Sequence, residues 1–385
     1  MRIGIVVTTG PENGGTYFYS IAVLNALRDF GLEHEYVVFY DSKAFPVEDY
    51  IRPNWTLHQY LQQDTVSTKA MRVLSLTGFR IFFRGARGRH AALLSYDLDL
   101  VICPSTTLAA WWCNLPFIVS VHDVWHRYNL PGTRRLNGVL RDLQWRRASK
   151  SAKLVLVESE SGKSELISAY NIPESSIRIL PTGPASFIWN PNLEKWPEII
   201  SKYNLSETYI FYPGGLSLAK NQQRIVEAVA ILRSEKKVDV HAILAGPRNE
   251  YSNEILGMAK KLGINDLIHT VGLVPDSDMY CLYKGALGLV MASYIGPTNM
   301  PIWEAFAAEC PVISSNAGEM PLQVGDAGLL FDPSDKHQLA KCIWELYINR
   351  DLRLTLIERG RARINHVHPK IWAQNLLSIV ESVRH

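Results

Sequence analysis

Short apolar runs alternate with longer amphipathic stretches along most of the chain. This alternation is typical of parallel β-strands that are wound with helices. In the first half, a loop rich in glycine and a helix over 16–30 follow the first strand. The strands of this half are predicted over 3–8, 35–40, 98–103, 117–121 and 154–158.

The same pattern begins again after residue 205. A strand, a loop that contains glycine and a helix over 222–236 open the second half. A last helix over 369–383 exceeds what the second half needs for a complete sheet, so we expect it to pack back on the first half. The strands of the second half are predicted over 209–212, 241–245, 268–271, 287–291 and 312–314.

A chain of 385 residues is longer than one compact α/β core usually is, which also favours two domains. The predicted fold class is therefore α/β, with two doubly wound, Rossmann-like domains. We expect a first domain over 1–185, completed by the C-terminal helix 366–385, and a second domain over 205–365. The segment 186–204, which contains Pro191 and Pro197, is the expected linker.

Composition narrows the class further. Apolar residues make up 47% of the chain and charged residues 20%, as in an ordinary globular protein, and the net charge is only +3. This charge is too small to favour a nucleic-acid partner. The five cysteines lack the spacing of metal ligands, so no metal is expected. No apolar run is long enough to cross a bilayer, and the chain opens on a strand without a leader, so the expected location is cytoplasmic.

Two glycine pairs stand between a predicted strand and the following helix. A backbone without Cβ atoms lets a ligand approach closely, and the N–H groups of the next helix favour phosphate. Gly14-Gly15 fits this role or is a plain tight turn. After Gly214-Gly215, Lys220-Asn221 adds a mobile positive charge suited to a diphosphate, although a solvated lysine is the simpler alternative.

A third constellation follows the strand 287–291. Pro301 suits the first turn of a helix that Thr298 or Asn299 caps. Glu304 then lies close to the sheet edge, where a carboxylate can accept two hydrogen bonds from a ribose diol. The alternative is a glutamate that only complements the helix dipole.

A histidine stands at the end of a strand in the first half. His122 is placed to donate a hydrogen bond to a phosphate or to a reacting sugar. A single histidine is more often structural, and that alternative remains open here.

In this order along the chain, these residues resemble the retaining glycosyltransferases of family 4, which have the GT-B fold of two domains facing each other across a cleft. The likeness spans nearly the whole chain and is strongest over 209–333. It also includes the turn Val271-Gly272-Leu273, whose backbone meets the nucleobase in that family. The matched positions are Gly14-Gly15, His122, Lys220-Asn221, Pro301 and Glu304.

The sequence departs from the family pattern at two places. The first glutamate of the family's pair falls at Gly296, and Gly-Pro-Thr-Asn replaces the usual Glu-Gly-Phe-Gly. Asn299 is the neutral residue that we expect to substitute for that glutamate. A basic residue of the lysine loop is replaced by Gly215, and Arg248 is the candidate for the missing charge.

The resemblance implies transfer of a sugar, with retention, from a nucleoside-diphosphate sugar to a glycan or lipid-linked acceptor. GDP-mannose is the first expectation for the donor, followed by dTDP-rhamnose and the UDP-sugars, and bacterial surface polysaccharide is the expected product. His122, Lys220 and Glu304 are the expected catalytic residues. Donor contacts are expected from Gly14, Gly15, Gly214, Gly215, Asn221, Arg248, Val271, Gly272, Leu273, Gly296, Pro297, Thr298, Asn299 and Met300.

Two other functions remain compatible with the sequence. The missing first glutamate also suits a catalytically silent homologue that serves as a partner subunit. A sugar-nucleotide epimerase is the second alternative, because such enzymes share the same fold.

Basic and aromatic residues are interleaved between Arg72 and Arg89. This segment favours contact with an anionic membrane that carries a lipid-linked acceptor. A helix with a solvated basic face explains it equally well, and RNA binding is a weaker third interpretation. The residues concerned are Arg72, Phe79, Arg80, Ile81, Phe82, Phe83, Arg84, Arg87 and Arg89.

Overall fold

The computed structural model describes residues 1–11, 14–60, 65–75, 84–127, 135–189, 191, 193–294, 296 and 299–383. The chain forms two compact units. The first consists of Met1–Pro181 with Pro369–His385, and the second of Thr182–His368.

The first unit is built on a parallel, 7-stranded sheet with the strand order β3-β2-β1-β4-β5-β6-β7. Its strands are β1 (Arg2–Val7), β2 (Glu35–Tyr40), β3 (Trp55–Gln59), β4 (Leu100–Cys103), β5 (Phe117–Ser120), β6 (Leu154–Val157) and β7 (Ile177–Ile179). Its helices are α1 (Gly15–Phe30), α2 (Val66–Ser75), α3 (Ala109–Cys113), α4 (Arg135–Ser151) and α5 (Glu160–Tyr170).

Both faces of this sheet are buried, which explains the nearly continuous apolar strands. Ile3 and Ile5 of β1 join one core cluster, whereas Val6 joins the cluster on the other face. This division follows from the alternation of side chains along a strand.

The last helix, α14 (Pro369–Glu381), belongs to the first unit, which confirms the predicted return of the C-terminal helix. It packs against α1, and Leu376 and Val380 are fully buried there. The indole Nε1 of Trp372 donates a hydrogen bond of 2.6 Å to the carbonyl oxygen of Pro181.

The second unit repeats the design with a parallel, 6-stranded sheet in the order β10-β9-β8-β11-β12-β13. Its strands are β8 (Tyr209–Pro213), β9 (His241–Ala245), β10 (Ile268–Gly272), β11 (Gly288–Met291), β12 (Val312–Ser315) and β13 (Gly328–Phe331). Its helices are α6 (Trp196–Tyr203), α7 (Gln222–Ile231), α8 (Glu250–Lys261), α9 (Asp276–Lys284), α10 (Met300–Ala307), α11 (Met320–Val324), α12 (Lys336–Ile348) and α13 (Arg350–Ile364).

The segment expected as a linker is packed into the second unit. Ile188 and Ile199 are buried in the core of this unit, and α6 contacts α9. Residues 186–204 therefore contribute apolar surface to the fold of that unit.

Three strands were not anticipated from the sequence: β3, β7 and β13. Each is an outermost strand of its sheet. The helix predicted over 222–236 also differs, because α7 ends at Ile231 and a π-helical turn covers Leu232–Lys236.

Candidate functional site

Most of the predicted donor-binding residues lie on loops at the carboxyl edge of the second sheet. Lys220 ends a short 3-10 turn, Leu218–Lys220, between β8 and α7. The carbonyl oxygen of Ala219 accepts a hydrogen bond of 3.1 Å from the backbone N–H of Tyr294. This bond fastens the Lys220 loop to the loop that follows β11.

Asn221 is the main tie between these loops. Its backbone is left-handed, with φ 59°, and its side chain is completely buried. The amide Nδ2 donates to the carbonyl oxygens of Ala292 at 3.0 Å and of Pro333 at 2.8 Å. Asn221 therefore joins the loops after β8, β11 and β13, and direct contact with a donor remains a prediction.

Glycines let the neighbouring loops approach one another. Gly214 and Gly246 follow β8 and β9, and a Cβ atom on Gly246 would lie 2.1 Å from the carbonyl oxygen of Gly214. Gly246 donates its N–H to Gly272 at 2.8 Å. A Cβ atom on Gly215 would meet nothing within 4 Å, so the space beside it is open to a ligand.

Arg248 reaches the end of β10 from the loop after β9. Its guanidinium donates to the carbonyl oxygen of Thr270 at 3.4 Å, and its Nε lies 3.9 Å from the position of a Cβ atom on Gly272. Val271 is half-buried, and Leu273 is 71% exposed at the same edge. The structure thus brings Arg248 and the turn 271–273 together, as a site for a nucleotide requires.

Glu304 lies in α10, where it is only 5% exposed. Its Oε2 accepts a hydrogen bond from the hydroxyl of Tyr283 at 2.5 Å, and its Oε1 accepts one from the N–H of Ala185 at 3.3 Å. Burial raises the pKa of Glu304 to about 7. The ribose contact remains a prediction; each carboxylate oxygen has accepted one hydrogen bond and can accept another.

The loop between β11 and α10 carries the departure from the family pattern. Gly296 and Asn299 are both buried, and Met300 opens α10. The N–H of Glu319 donates to the carbonyl oxygen of Gly296 at 3.2 Å. Pro297 and Thr298 lie outside the described residues.

In the first unit, Gly14 is the N-cap of α1. Its backbone, with φ 55° and ψ −123°, is one that residues with a Cβ atom rarely adopt. A Cβ atom there would meet nothing within 4 Å, and Gly15 is exposed. Among the described residues, there is therefore free space at the Cβ position of Gly14, which suits an anion at this helix terminus.

His122 follows β5 and is held by two partners. Its Nδ1 lies 2.7 Å from Oε1 of Glu158, and its Nε2 lies 3.0 Å from the carbonyl oxygen of Pro104. Burial alone would lower the pKa of His122, but the hydrogen bond and the charge of Glu158 outweigh this and raise it. Both partners are acceptors, an arrangement that suits an imidazolium donating from both ring nitrogens.

Aromatic packing extends from this histidine to the C-terminal helix. The ring of Tyr19 meets His122 edge-on at 4.8 Å between centroids, and Trp372 packs on Tyr19 at 5.9 Å. The side chain of His122 therefore has a fixed orientation.

Sequence reasoning missed two residues that shape these sites. Glu158 comes directly after β6, the neighbour of β5, so adjacent strand ends were the available signal. Gln323 clamps the backbone of Asn299 from α11, and nothing in the spacing of the sequence indicated that contact.

In the part of the chain that the structure describes, no group of three or more histidine, cysteine, aspartate or glutamate side chains is placed to hold a metal. Within the same residues, every helix is too short or too polar to cross a membrane.

The basic segment 72–89 is described only in part, because residues 76–83 lie outside the described residues. Arg87 donates from Nε to the carbonyl oxygen of Trp112 at 3.3 Å. Arg89 forms an ion pair with Asp41 at 2.9 Å and lies over the ring of Tyr60. These two cations are therefore directed at least partly toward the protein itself.

Comparison with protein families agrees with this architecture. The model of "Glycosyltransferase Family 4" matches residues 13–184, and that of "Glycosyl transferases group 1" matches residues 197–363. Together the two models span most of the chain. The chain belongs to the glycosyltransferases of family 4 and has the GT-B fold.

Several individual relatives match only part of this chain, at modest sequence identity. O-antigen chain mannosyltransferase B of Escherichia coli is 31% identical over 216 residues, which are 55% of this chain and 56% of that protein. The match thus takes in about half the length of the curated relatives.

Solved structures show the same fold over nearly the whole chain. Sucrose-phosphate synthase from Thermosynechococcus elongatus has a TM-score of 0.78 at 18% identity, over 99% of this chain and 98% of that one. Anabaena Alr3699/HepE in complex with UDP-glucose has a TM-score of 0.77 at 16% identity, over 99% and 100%.

Proposed function

We propose that this protein is a retaining glycosyltransferase. It would move a sugar from a nucleoside-diphosphate sugar to a hydroxyl group of a growing glycan or lipid-linked acceptor. Family membership and the glycosyltransferase relatives support the reaction class.

The observation that carries the proposal is the carboxyl edge of the second sheet. Lys220 and Arg248 are two cations on the loops that follow β8 and β9, and Gly214 and Gly215, on the same loop as Lys220, are exposed. The hydrogen bond between Ala219 and Tyr294 joins the lysine loop to the loop that precedes α10. Cations, open glycine backbone and a helix terminus together favour a diphosphate.

In the proposed reaction, the bond between the anomeric carbon and the β-phosphate oxygen breaks, and the acceptor oxygen bonds to that carbon. The bonding electrons go to the β-phosphate, and the acceptor's proton leaves for the departing phosphate. Lys220 and Arg248 would stabilise the charge that develops there. We include in the proposal that no metal is needed for this step.

The role proposed for His122 is that of a fixed cation in the first unit. The carboxylate of Glu158 raises the pKa of His122, which favours the protonated imidazole and an Nε2–H that can donate. A phosphate or sugar oxygen would take the place of the Pro104 carbonyl as acceptor.

GDP-mannose is the first donor to test, with dTDP-rhamnose and the UDP-sugars next. The name of the E. coli relative, a mannosyltransferase of O-antigen chains, supports this order. A ligand that binds only the folded state raises the melting temperature. A thermal-shift screen with GDP, dTDP and UDP and their sugars will therefore rank the donors.

The test of the site is Lys220→Ala, with Lys261→Ala as the matched control. Lys261 is an exposed lysine in the last turn of α8, away from the sheet edge. Lys220→Ala should lower the rate of sugar transfer at least tenfold, which is about 1.4 kcal/mol of transition-state stabilisation. Radiolabelled donor and a polysaccharide or lipid-linked acceptor extract provide the assay.

Equal rates for Lys220→Ala and the wild type would contradict the assignment of the site. Loss of transfer in the presence of EDTA, restored by Mg²⁺, would contradict the metal-free step. Incubation with the donor alone separates the alternatives, because an epimerase changes the sugar and a silent partner subunit leaves it intact.

We also propose that the protein works at the cytoplasmic face of a membrane. The basic residues between Arg72 and Arg89 motivate this part of the proposal. Sedimentation with vesicles that contain phosphatidylglycerol, compared with neutral vesicles, will test it. Equal recovery with both kinds of vesicle would reject the electrostatic contact.

A further inference from the structure

The side chain of Asn299 lacks the contact that its position would normally give it. Asn299 is the N-cap of α10, a place where asparagine usually accepts a hydrogen bond from the helix backbone. Here its side chain makes no capping hydrogen bond. The residue is 6% exposed, and its Nδ2 has no hydrogen-bond partner among the described residues.

The backbone of Asn299 is held in place by Gln323, which is itself buried. The N–H of Asn299 donates to Oε1 of Gln323 at 2.9 Å. The Nε2 of Gln323 donates in return to the carbonyl oxygen of Asn299 at 2.8 Å. These two hydrogen bonds from one side chain fix the backbone of Asn299. They do not use its side-chain amide, which can therefore bind another partner.

The amide of Asn299 occupies the space that a side chain at position 296 would enter. A Cβ atom on Gly296 would lie 2.5 Å from Nδ2 of Asn299. On its other side, Gly296 is approached by Gly318, where a Cβ atom would lie 2.5 Å from the carbonyl oxygen of Gly296. A side chain at 296 and the amide of Asn299 in its present position therefore exclude each other.

The surroundings of this amide favour an oxygen atom as its partner. It stands at the N-terminal end of α10, where the helix dipole attracts negative charge. The adjoining residues of the same loop are bonded to the loop of Lys220 through Tyr294 and Ala219. A buried donor without a partner is costly, so a ligand that supplies an acceptor gains affinity.

We propose that Asn299 donates through Nδ2 to an oxygen at the diphosphate–sugar end of the nucleotide sugar, and that Gln323 is its positioning residue. This inference rests on the proposed function and deepens it. The amide takes the place of an acidic side chain at 296. The site thus gains a hydrogen-bond donor and loses a negative charge beside the diphosphate.

Asn299→Ala, Asn299→Asp and Gly296→Ala test this proposal by calorimetry. The probes are the nucleotide sugar with the largest thermal shift and its own nucleoside mono- and diphosphate. Each variant should bind the nucleotide sugar about tenfold more weakly, the loss of one hydrogen bond to a charged group. Asn299→Asp should show the largest loss, because a carboxylate repels phosphate. Binding of the nucleoside monophosphate should stay unchanged, which also shows that each variant is folded.

The diphosphate probe identifies the oxygen that is bound. Weaker binding of the nucleoside diphosphate as well as the nucleotide sugar assigns the contact to the β-phosphate. Weaker binding of the nucleotide sugar alone assigns it to the sugar. Both outcomes support the proposal.

A double-variant cycle tests the exclusion between positions 296 and 299. Gly296→Ala should have no further effect on affinity once Asn299→Ala has removed the amide. Gln323→Ala should weaken binding of the nucleotide sugar and leave binding of the monophosphate unchanged. Gln323→Glu keeps one of the two hydrogen bonds to Asn299, so it should bind the nucleotide sugar more tightly than Gln323→Ala does.

Unchanged affinity for the nucleotide sugar in Asn299→Ala, or retained affinity in Asn299→Asp, would overturn this inference while leaving the proposed function intact. A wild-type protein that binds none of GDP-mannose, dTDP-rhamnose and UDP-glucose would overturn both.

Discussion

His122 in the first unit and Glu304 in the second are both largely buried titratable side chains near the carboxyl edge of their own sheet. The surroundings of His122 favour its charged form, whereas those of Glu304 favour its neutral form. Beside His122, the carboxylate of Glu158 raises the pKa of the imidazole and favours the cation. Around Glu304, burial raises the pKa of the carboxyl group to about 7 and favours the neutral form.

The difference lies in the partners that each fold element supplies. Glu158 brings a full opposite charge to His122 at 2.7 Å. Glu304 receives only the hydroxyl of Tyr283 and the N–H of Ala185, which stabilise a carboxylate less than a counter-ion would. Of these two buried groups, the one that keeps its charge is therefore the one that receives a counter-ion, which the end of the neighbouring strand delivers.

The largest effect is expected for Glu304→Ala. It leaves the hydroxyl of Tyr283 and the N–H of Ala185 unpaired and opens a cavity, so we expect a loss of roughly 3 kcal/mol in the free energy of unfolding. Glu304→Gln retains the shape and can satisfy both partners, and it should cost under about 1 kcal/mol. Urea denaturation of both variants measures the difference.

The stability of the wild type and of Glu304→Gln as a function of pH tests the raised pKa of Glu304. The folded-state pKa, about 7, lies above the ordinary value of 4.5, so its contribution to stability is full at low pH and is lost as the pH rises from 4.5 through about 7. The stability of Glu304→Gln relative to the wild type should increase over this range. A constant difference from pH 4.5 to 8 would refute the raised pKa.

The ion pair of the first unit is tested by Glu158→Gln. We expect a loss of about 1–2 kcal/mol at pH 6, since the variant keeps a hydrogen bond but loses the counter-ion. Because the pKa of His122 is raised, the stabilisation is full below its ordinary value of 6.5 and is lost as the pH rises through the folded-state pKa. The cost should therefore shrink toward pH 9. A cost that does not vary with pH would show that Glu158 does not raise the pKa of His122.

The pH dependence of nucleotide binding compares the wild type with Glu304→Gln. If only the ionised form of Glu304 accepts a ribose diol, its pKa of about 7 predicts roughly tenfold tighter binding at pH 8 than at pH 6. Calorimetry with the wild type and with Glu304→Gln will measure this, and the variant should show no such dependence. Equal pH dependence in both would remove Glu304 from the ribose site.

The smallest effect is expected for Tyr283→Phe. The hydroxyl of Tyr283 favours the ionised form of Glu304, so its removal should raise the pKa of Glu304 further and move the pH dependence of binding upward. The stability cost should be about 1 kcal/mol, the usual value for one buried hydrogen bond. An unchanged pH profile would show that the two side chains do not interact in solution.

Strands that are buried on both faces could be predicted from the sequence, because they appear as continuous apolar runs. The strands β1, β8 and β9 were placed to within a residue or two in this way. The outer strands β3, β7 and β13 were missed. Residues of β7 and β13 are partly exposed, so the apolar signal is diluted there.

The candidate site shows a similar limit. The positions of Gly214, Lys220 and Asn299 follow from the order of strand, loop and helix. The contacts of Glu158 and Gln323 do not, because each partner lies on an element that is distant along the chain. Only the packing of neighbouring strand ends and helices brings them together.

The sequence by itself determined the fold class, the two-sheet organisation and the loops that carry the candidate residues, because periodic burial and glycine-containing turns are local properties. Tertiary structure alone decided which charges survive burial at His122 and Glu304. It also decided that the amide of Asn299 fills the space beside Gly296. Those outcomes depend on distances between remote segments, and pKa and hydrogen bonding are set by such distances.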